Sequence, residues 1–301
     1  MNYLSFNDAM RARFGTKVYR LSLQSGSTCP NRDGTIGTGG CTFCSEGGSG
    51  EFAAPFLPIA DQITEARKRV DAKIPSSTAP QDRRYIAYFQ SYTNTYGDPE
   101  RLRRLYAEAL EHPQIVALDL GTRPDCLPPE ILQMLRDLRA QYGKPVWIEL
   151  GLQTIHERTA RAVHRGYDLA AFEQGYHALK ALGLTVIVHV IFSLPGETKE
   201  DMLGTVRYLA ALDPPPDGVK LQMLHILRGT QLGEAYEKAP FPLLTLEEYA
   251  ELVAQSVRIL PEETVIHRLT GDAPGKLLIA PEWTRNKKRV LNAVNREIGK
   301  K

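Results

Sequence analysis

The chain has 301 residues, 43% of them hydrophobic, and a formal net charge of +2. That length allows one large core or two smaller ones, and so small a net charge does not by itself argue for nucleic acid. There is no apolar run of about eighteen residues, and Met1 to Arg20 sets Asn2, Asp8, Arg11 and Arg13 among scattered hydrophobes instead of an export signal's apolar core; a soluble cytoplasmic protein with no membrane partner is expected.

In chain order, β-type runs alternate with longer amphipathic stretches. Strands are predicted over Lys17 to Gln24, Arg84 to Ser91, Ile115 to Gly121, Val146 to Gln153, Leu184 to Leu194 and Gly218 to Ile226. Helices are predicted over Ile59 to Ile74, Pro99 to Glu111, Pro128 to Tyr142, Leu169 to Leu182 and Lys199 to Leu212, where apolar residues recur at three-and-four spacing and proline stands near several starts. Such alternation implies parallel strands with helical crossovers, and the near-continuous apolar run Val186 to Ile191 fits a strand covered on both faces. The expected fold is α/β, a partial (β/α)6 TIM-type barrel over residues 17–235. Residues 1–16 form an N-terminal extension. A C-terminal helical extension, residues 236–301, holds a helix at Thr245 to Leu260, a short strand at Thr264 to Leu269 and a basic tail.

Three of the four cysteines fall in one window, Cys29-x11-Cys41-x2-Cys44, directly after the first predicted strand; Cys126 stands apart. A disulfide framework would favour dispersed pairs in a small secreted chain. After a barrel's first strand the segment occupies the catalytic end, and its glycines let backbone fold closely round a bulky group. Thiolates suit an iron-sulfur cluster, zinc or copper(I). A four-iron cube on three thiolates leaves one iron open to an outside ligand. The rival is structural zinc completed by a histidine or by Cys126, although no second close pair exists.

The segment, with Phe43 directly before the last cysteine, resembles the radical S-adenosylmethionine (radical SAM) superfamily. Lys17-Val-Tyr-Arg with Cys29-Pro-Asn-Arg-Asp-Gly-Thr resembles its YhcC-like branch, which is related to the radical SAM domain of the Elongator catalytic subunit. The resemblance implies a [4Fe-4S] cluster on Cys29, Cys41 and Cys44, S-adenosyl-L-methionine as second cofactor, and an external electron donor of flavodoxin or ferredoxin type. The long first gap departs from the C-x3-C-x2-C of the wider superfamily but agrees with the Elongator-like branch.

The same resemblance assigns cofactor contacts at successive strand ends. Gln90 and Ser91 stand where relatives carry a Gly-Gly-Glu motif. Arg123 and Asp125 follow in Gly-Thr-Arg-Pro-Asp, and Glu149 and Gln153 share one face of strand four. A buried salt bridge is the alternative for that carboxylate. Arg165 is expected to clamp the cofactor carboxylate. His189 is read as a cofactor contact or a core histidine, Gly196 as a turn against adenine, and Leu224, His225 and Ile226 as an adenine wall. Cys126, beside Asp125 at the catalytic end, is the candidate catalytic thiol; the alternative is buried filler.

From Pro281 onward, Arg285, Lys287, Lys288, Arg289, Arg296, Lys300 and Lys301 face only Glu282 and Glu297. With Val290, Leu291, Val294 and Ile298 at helical spacing, the tail could dock one face on the barrel and offer Arg285, Lys287, Lys288 and Arg289 to RNA phosphates, with Trp283 stacking on a base. The Elongator resemblance implies a tRNA partner and modification of a wobble uridine at carbon 5. The chain has no room for the Elongator subunit's acetyltransferase domain, so the carbon donor is open. A radical SAM enzyme acting on a small metabolite or protein and a noncatalytic zinc-bearing RNA-binding module are the alternatives.

Overall fold

The computed structural model describes residues 3–300; Met1, Asn2 and Lys301, which the terminal readings include, lie outside the described residues. Strands β1 (Val18–Leu23), β2 (Arg84–Phe89), β3 (Ile115–Thr122), β4 (Val146–Gln153), β5 (Thr185–Phe192), β6 (Gly218–Met223) and β8 (Val265–Arg268) form one sheet, all neighbours parallel, in the order β1-β2-β3-β4-β5-β6-β8. A second, two-stranded antiparallel sheet pairs β7 (Ile226–Leu227) with β9 (Leu278–Ala280).

The helices are α1 (Phe6–Phe14), α2 (Ile59–Asp71), α3 (Pro99–Glu111), α4 (Pro129–Tyr142), α5 (Glu157–Ala162), α6 (Leu169–Ala181), α7 (Lys199–Ala211), α8 (Gln231–Lys238), α9 (Leu246–Ile259) and α10 (Lys287–Gly299). Their starts follow local chemistry. Asp98 accepts from Arg101 N ahead of Pro99 in α3, Asp168 accepts from Ala171 N in α6, and Thr198 with Asp201 and Thr245 with Glu248 close capping boxes on α7 and α9.

The half-barrel reading holds, with a seventh strand. β8 was expected in a C-terminal extension; it pairs with β6 instead, and α9 and α10 contribute Tyr249, Val253, Val290 and Val294 to the same core as Leu21, Phe89 and Phe192. Residues beyond 235 thus complete the barrel's sheet and core.

Alternation along the strands sorts side chains into two populations. One parity, including Leu21, Phe89, Leu118, Ile148, Val188 and Leu221, packs under the helices. The other faces the lumen and is layered. Val18, Ile86, Ala117, Trp147 and Ile187 make an apolar plug with Met10 of α1. Above it Arg20, Tyr88, Asp119, Glu149, His189 and Lys220 make an ionic layer. Above that a cavity opens at the strands' C-terminal ends.

Candidate active site

The loop between β1 and α2 carries the three cysteines, and hydrogen bonds to distant parts of the barrel fix it. Asn31 Nδ2 donates to His164 O at 2.5 Å and lies 3.7 Å from Cys41 Sγ. Arg32 donates to Cys44 O and Ser45 O at 3.0 and 2.6 Å, and Thr42 N donates to Val163 O at 3.0 Å. Gly166, at φ +82°, lets the backbone pass beneath this loop, because a Cβ there would lie 3.0 Å from Asn31 Oδ1.

Burial pushes the Cys41 thiol up to about 12 and raises Cys44, the latter against the pull of Arg32. Left alone these sulfurs keep their protons; as thiolates they would need a metal to stabilise them. Among the described residues no three His, Cys, Asp or Glu side chains converge as ligands of a single ion. A structural zinc asks for a fourth protein ligand, whereas a four-iron cube can take three cysteines and leave one iron open. The donor set fits the cube.

Beside the loop lies a cavity of about 720 Å³, lined among others by Phe43, Ser22, Gln90, Gln153, Ile191 and Leu224. Three non-glycine residues with positive φ mark strand ends at this face: Tyr92 after β2, Gln153 ending β4 and Ser193 after β5, at 58°, 61° and 70°. Such backbone costs on the order of 1 kcal/mol or more per residue and clusters where function fixes a loop's direction.

The ionic layer is the cavity's floor. Glu149 Oε2 accepts from Tyr88 OH at 2.6 Å and lies 2.9 Å from His189 Nε2, while Lys220 Nζ abuts Glu149 Oε1 and lies 3.0 Å from Tyr88 OH. Arg20 Nε donates to Asp119 at 3.2 Å. Burial alone would raise the Glu149 carboxyl, but Lys220, His189 and Arg20 hold it well below the ordinary carboxylate range. Burial pulls Lys220 down to about 7 against Glu149, and burial beside Glu149 pushes Asp119 up to about 8.

Of the expected cofactor contacts, Gln90, Gln153, His189, Leu224 and His225 line the cavity; Glu149 lies directly beneath, with the buried ion pairs that were its alternative. Several others are placed differently. Arg165 is buried, and its guanidinium is taken up by Tyr167 O, Leu152 O, Thr154 O and Glu157, so it ties β4 to the following loop and has no fork free for a carboxylate. Arg123 and Asp125 pair with each other next to Cys29 and do not line the cavity. Ser91 is buried, its hydroxyl without a partner. Ile226 joins a satellite core, and Gly196 lies in an exposed turn at φ +81° with nothing near its Cβ position. Cys126 is buried away from the cavity and burial pushes its thiol up to about 12, which disfavours a reactive role.

The basic tail also differs. Trp283 is not available for stacking: its indole donates to Leu244 O at 3.0 Å and its ring packs against Tyr249. Arg285 is held by Gly275 O and Leu278 O; Lys287 pairs with Asp272, and both of these line the cavity. Lys288 and Arg289 border an exposed groove between α9 and α10. Arg69 and Lys73 of the α2 region and the half-exposed Phe52, all at the cavity rim, were not anticipated. The available signal was their nearness in sequence to the cysteine loop.

A parallel half-barrel with three thiols over a cavity at its C-terminal face defines a barrel enzyme built to hold a metal-bound cofactor. The chain belongs to the radical SAM superfamily: the family model of that description matches residues 29–209, and the Radical_SAM C-terminal domain matches residues 216–300. It is 39% identical to protein YtqA of Bacillus subtilis (strain 168) over 98% of this chain and 89% of that one, and 37% identical to Protein YhcC of Escherichia coli (strain K12) over 94% and 87%. Elongator complex protein 3 of Schizosaccharomyces pombe is 29% identical over 62% of this chain and 34% of its own length. Among solved structures, the archaeal Methanocaldococcus infernus Elp3 shares the fold at a TM-score of 0.69 and 17% identity, over 93% of this chain and 63% of that one.

Proposed function

We propose that the chain is a radical SAM enzyme modifying tRNA at a wobble uridine, with Cys29, Cys41 and Cys44 holding a [4Fe-4S] cluster and the adjoining cavity taking S-adenosylmethionine. One-electron reductive cleavage of that sulfonium to a 5′-deoxyadenosyl radical is the chemistry such a cluster supplies when bound, with the electron coming from a flavodoxin- or ferredoxin-type donor. The chain's own residues position and shield. Asn31 and Arg32 brace the cysteine loop, Arg123 stands 4.0 Å from the Cys29 sulfur, Gln90 and Gln153 offer hydrogen bonds, and Ile191 and Leu224 offer apolar wall.

The observation that carries the reading is the placement of three thiols, free of any disulfide, beside a 720 Å³ cavity at the half-barrel's C-terminal face. Support for an RNA substrate comes from the partial likeness to Elongator complex protein 3 and from a rim that sets Phe52 beside Arg69 and Lys73. Anaerobic reduction with S-adenosylmethionine, with bulk tRNA added and withheld, tests both levels. Release of 5′-deoxyadenosine is expected, stimulated by tRNA, with altered wobble uridine in the nucleoside mass profile. Release that ignores tRNA, with identical nucleoside profiles, would remove the RNA substrate and leave the reaction class.

A further inference from the structure

The two ring nitrogens of His189 have different surroundings. Nε2 lies 2.9 Å from Glu149 Oε2, on a carboxylate that also takes Tyr88 OH, Lys220 and, at 3.7 Å, Arg20. A buried carboxylate amid so many donors stays ionised, and an ionised carboxylate only accepts, so Nε2 carries the ring proton. Nδ1 is then a bare lone pair. It has no hydrogen-bond partner among the described residues and, unlike His225 Nε2, is not sealed in the interior; the ring lines the cavity.

The charged and titratable groups in the layer around the ring are Arg20 from β1, Tyr88 from β2, Asp119 from β3, Glu149 from β4, Lys220 from β6, and His267 and Arg268 from β8. Burial keeps His189 below the usual imidazole range, Lys220 and Arg268 acting in the same direction and Glu149 against them. Arg20 and Arg268, which also line the cavity, can only donate hydrogen bonds, and Gln90, Gln153 and Gln222 can do either.

We propose that His189 Nδ1 is a fixed hydrogen-bond acceptor for the cavity's occupant, receiving an N–H or O–H of a nucleoside, and that Glu149 is the positioning residue that sets its tautomer. The inference rests on the reading that nucleosides occupy this cavity. A base amino or imide group or a ribose hydroxyl supplies the donor, and both S-adenosylmethionine and a tRNA nucleotide carry such groups.

The test uses anaerobically prepared holoprotein and two probes, S-adenosylhomocysteine and bulk tRNA, whose dissociation constants are measured separately. His189→Gln keeps a polar group near the Nε2 position and removes the acceptor, while His189→Asn keeps one near Nδ1. The probe that donates to His189 should bind about tenfold more weakly to His189→Gln and near normally to His189→Asn. Its affinity for the wild type should fall as pH drops and the ring gains a second proton, and be flat in His189→Asn. Diethyl pyrocarbonate, which attacks unprotonated imidazole, provides a readout on the unaltered chain: peptide mass mapping should find His189 modified and protected by the same probe. Binding of both probes that His189→Gln leaves intact, or a His189 that stays unmodified or unprotected, overturns the inference and leaves the proposed function standing. Failure of the wild type to bind either probe removes both.

Discussion

Arg123 stands with Nη1 4.0 Å from the sulfur of Cys29 while Nε and Nη2 hold the two oxygens of Asp125 at 3.0 and 2.7 Å. Nη1 also donates to Arg165 O at 2.9 Å, and the guanidinium lies over the Tyr167 ring. The cation is therefore fixed next to the Cys29 sulfur from three directions. A positive charge there favours the more negative, reduced state of a cluster. Arg123→Met should lower the cluster's midpoint potential, read by anaerobic redox titration, and reduce the iron retained per chain.

The cysteines divide into three and one. Cys29→Ala, Cys41→Ala or Cys44→Ala should abolish the iron-sulfur absorbance of anaerobic preparations. Cys126→Ala should keep it, together with full 5′-deoxyadenosine release, because its thiol is buried off the cavity. Loss of cluster in Cys126→Ala would reassign the fourth sulfur.

Glu149 is fully buried among Tyr88, His189 and Lys220. Removing one member leaves an uncompensated charge inside the barrel, so Glu149→Leu should cost about 3–5 kcal/mol, measured by urea unfolding. Adding Lys220→Met should recover a large part of the loss. A double variant no better than the sum of the singles would show that the pair is not coupled.

His225 supplies a pH prediction. Burial lowers it to about 4, with Arg268 lowering it further and Asp272 opposing, and its Nε2 is buried without a partner. Between pH 6.5 and about 4 the unfolded chain takes up a proton that the folded chain refuses. Stability should therefore fall as pH drops through that window and level off below it, by about 3 kcal/mol at most. His225→Leu, which cannot titrate, should flatten that part of the profile in thermal melts taken across pH.

At the rim, Arg69→Ala with Lys73→Ala should weaken tRNA binding and shrink the slope of log affinity against log salt by up to about 2, as two lost phosphate contacts would. Fluorescence anisotropy at several salt concentrations checks this. An unchanged slope would place the RNA elsewhere, with Lys288 and Arg289 the next residues to test.

Much of the scaffold was readable because its signals are local. Period-two runs marked β1 to β6, and the cysteine spacing directly after β1 located the candidate cluster loop. Alternation puts Glu149 and Gln153 on one face, and both reach the lumen, Glu149 in the ionic layer and Gln153 at the cavity; the register shifts between Gly151 and Gln153, so alternation alone does not place the second. What escaped depends on partners far along the chain. β8 has four residues, too few to announce that they pair with β6, Val265 opposite Gly218. Arg165 and Trp283 look like free binding groups in sequence, and only the fold brings backbone carbonyls to consume their donors. The ionic layer did leave a trace: Arg20, Asp119 and Lys220 are single charges inside otherwise uncharged strands, at the parity that faces the lumen.

The pairing of β8 with β6 bears on how the chain can be divided. A fragment ending at residue 235 would strip the sheet of its last strand, leaving the outer row of amides and carbonyls on β6 bare and the core without Tyr249, Val253, Val290 and Val294. An open edge flanked by uncovered apolar surface recruits other copies. Such a truncation is expected to aggregate, because the regions matched at residues 29–209 and 216–300 share one sheet and one core.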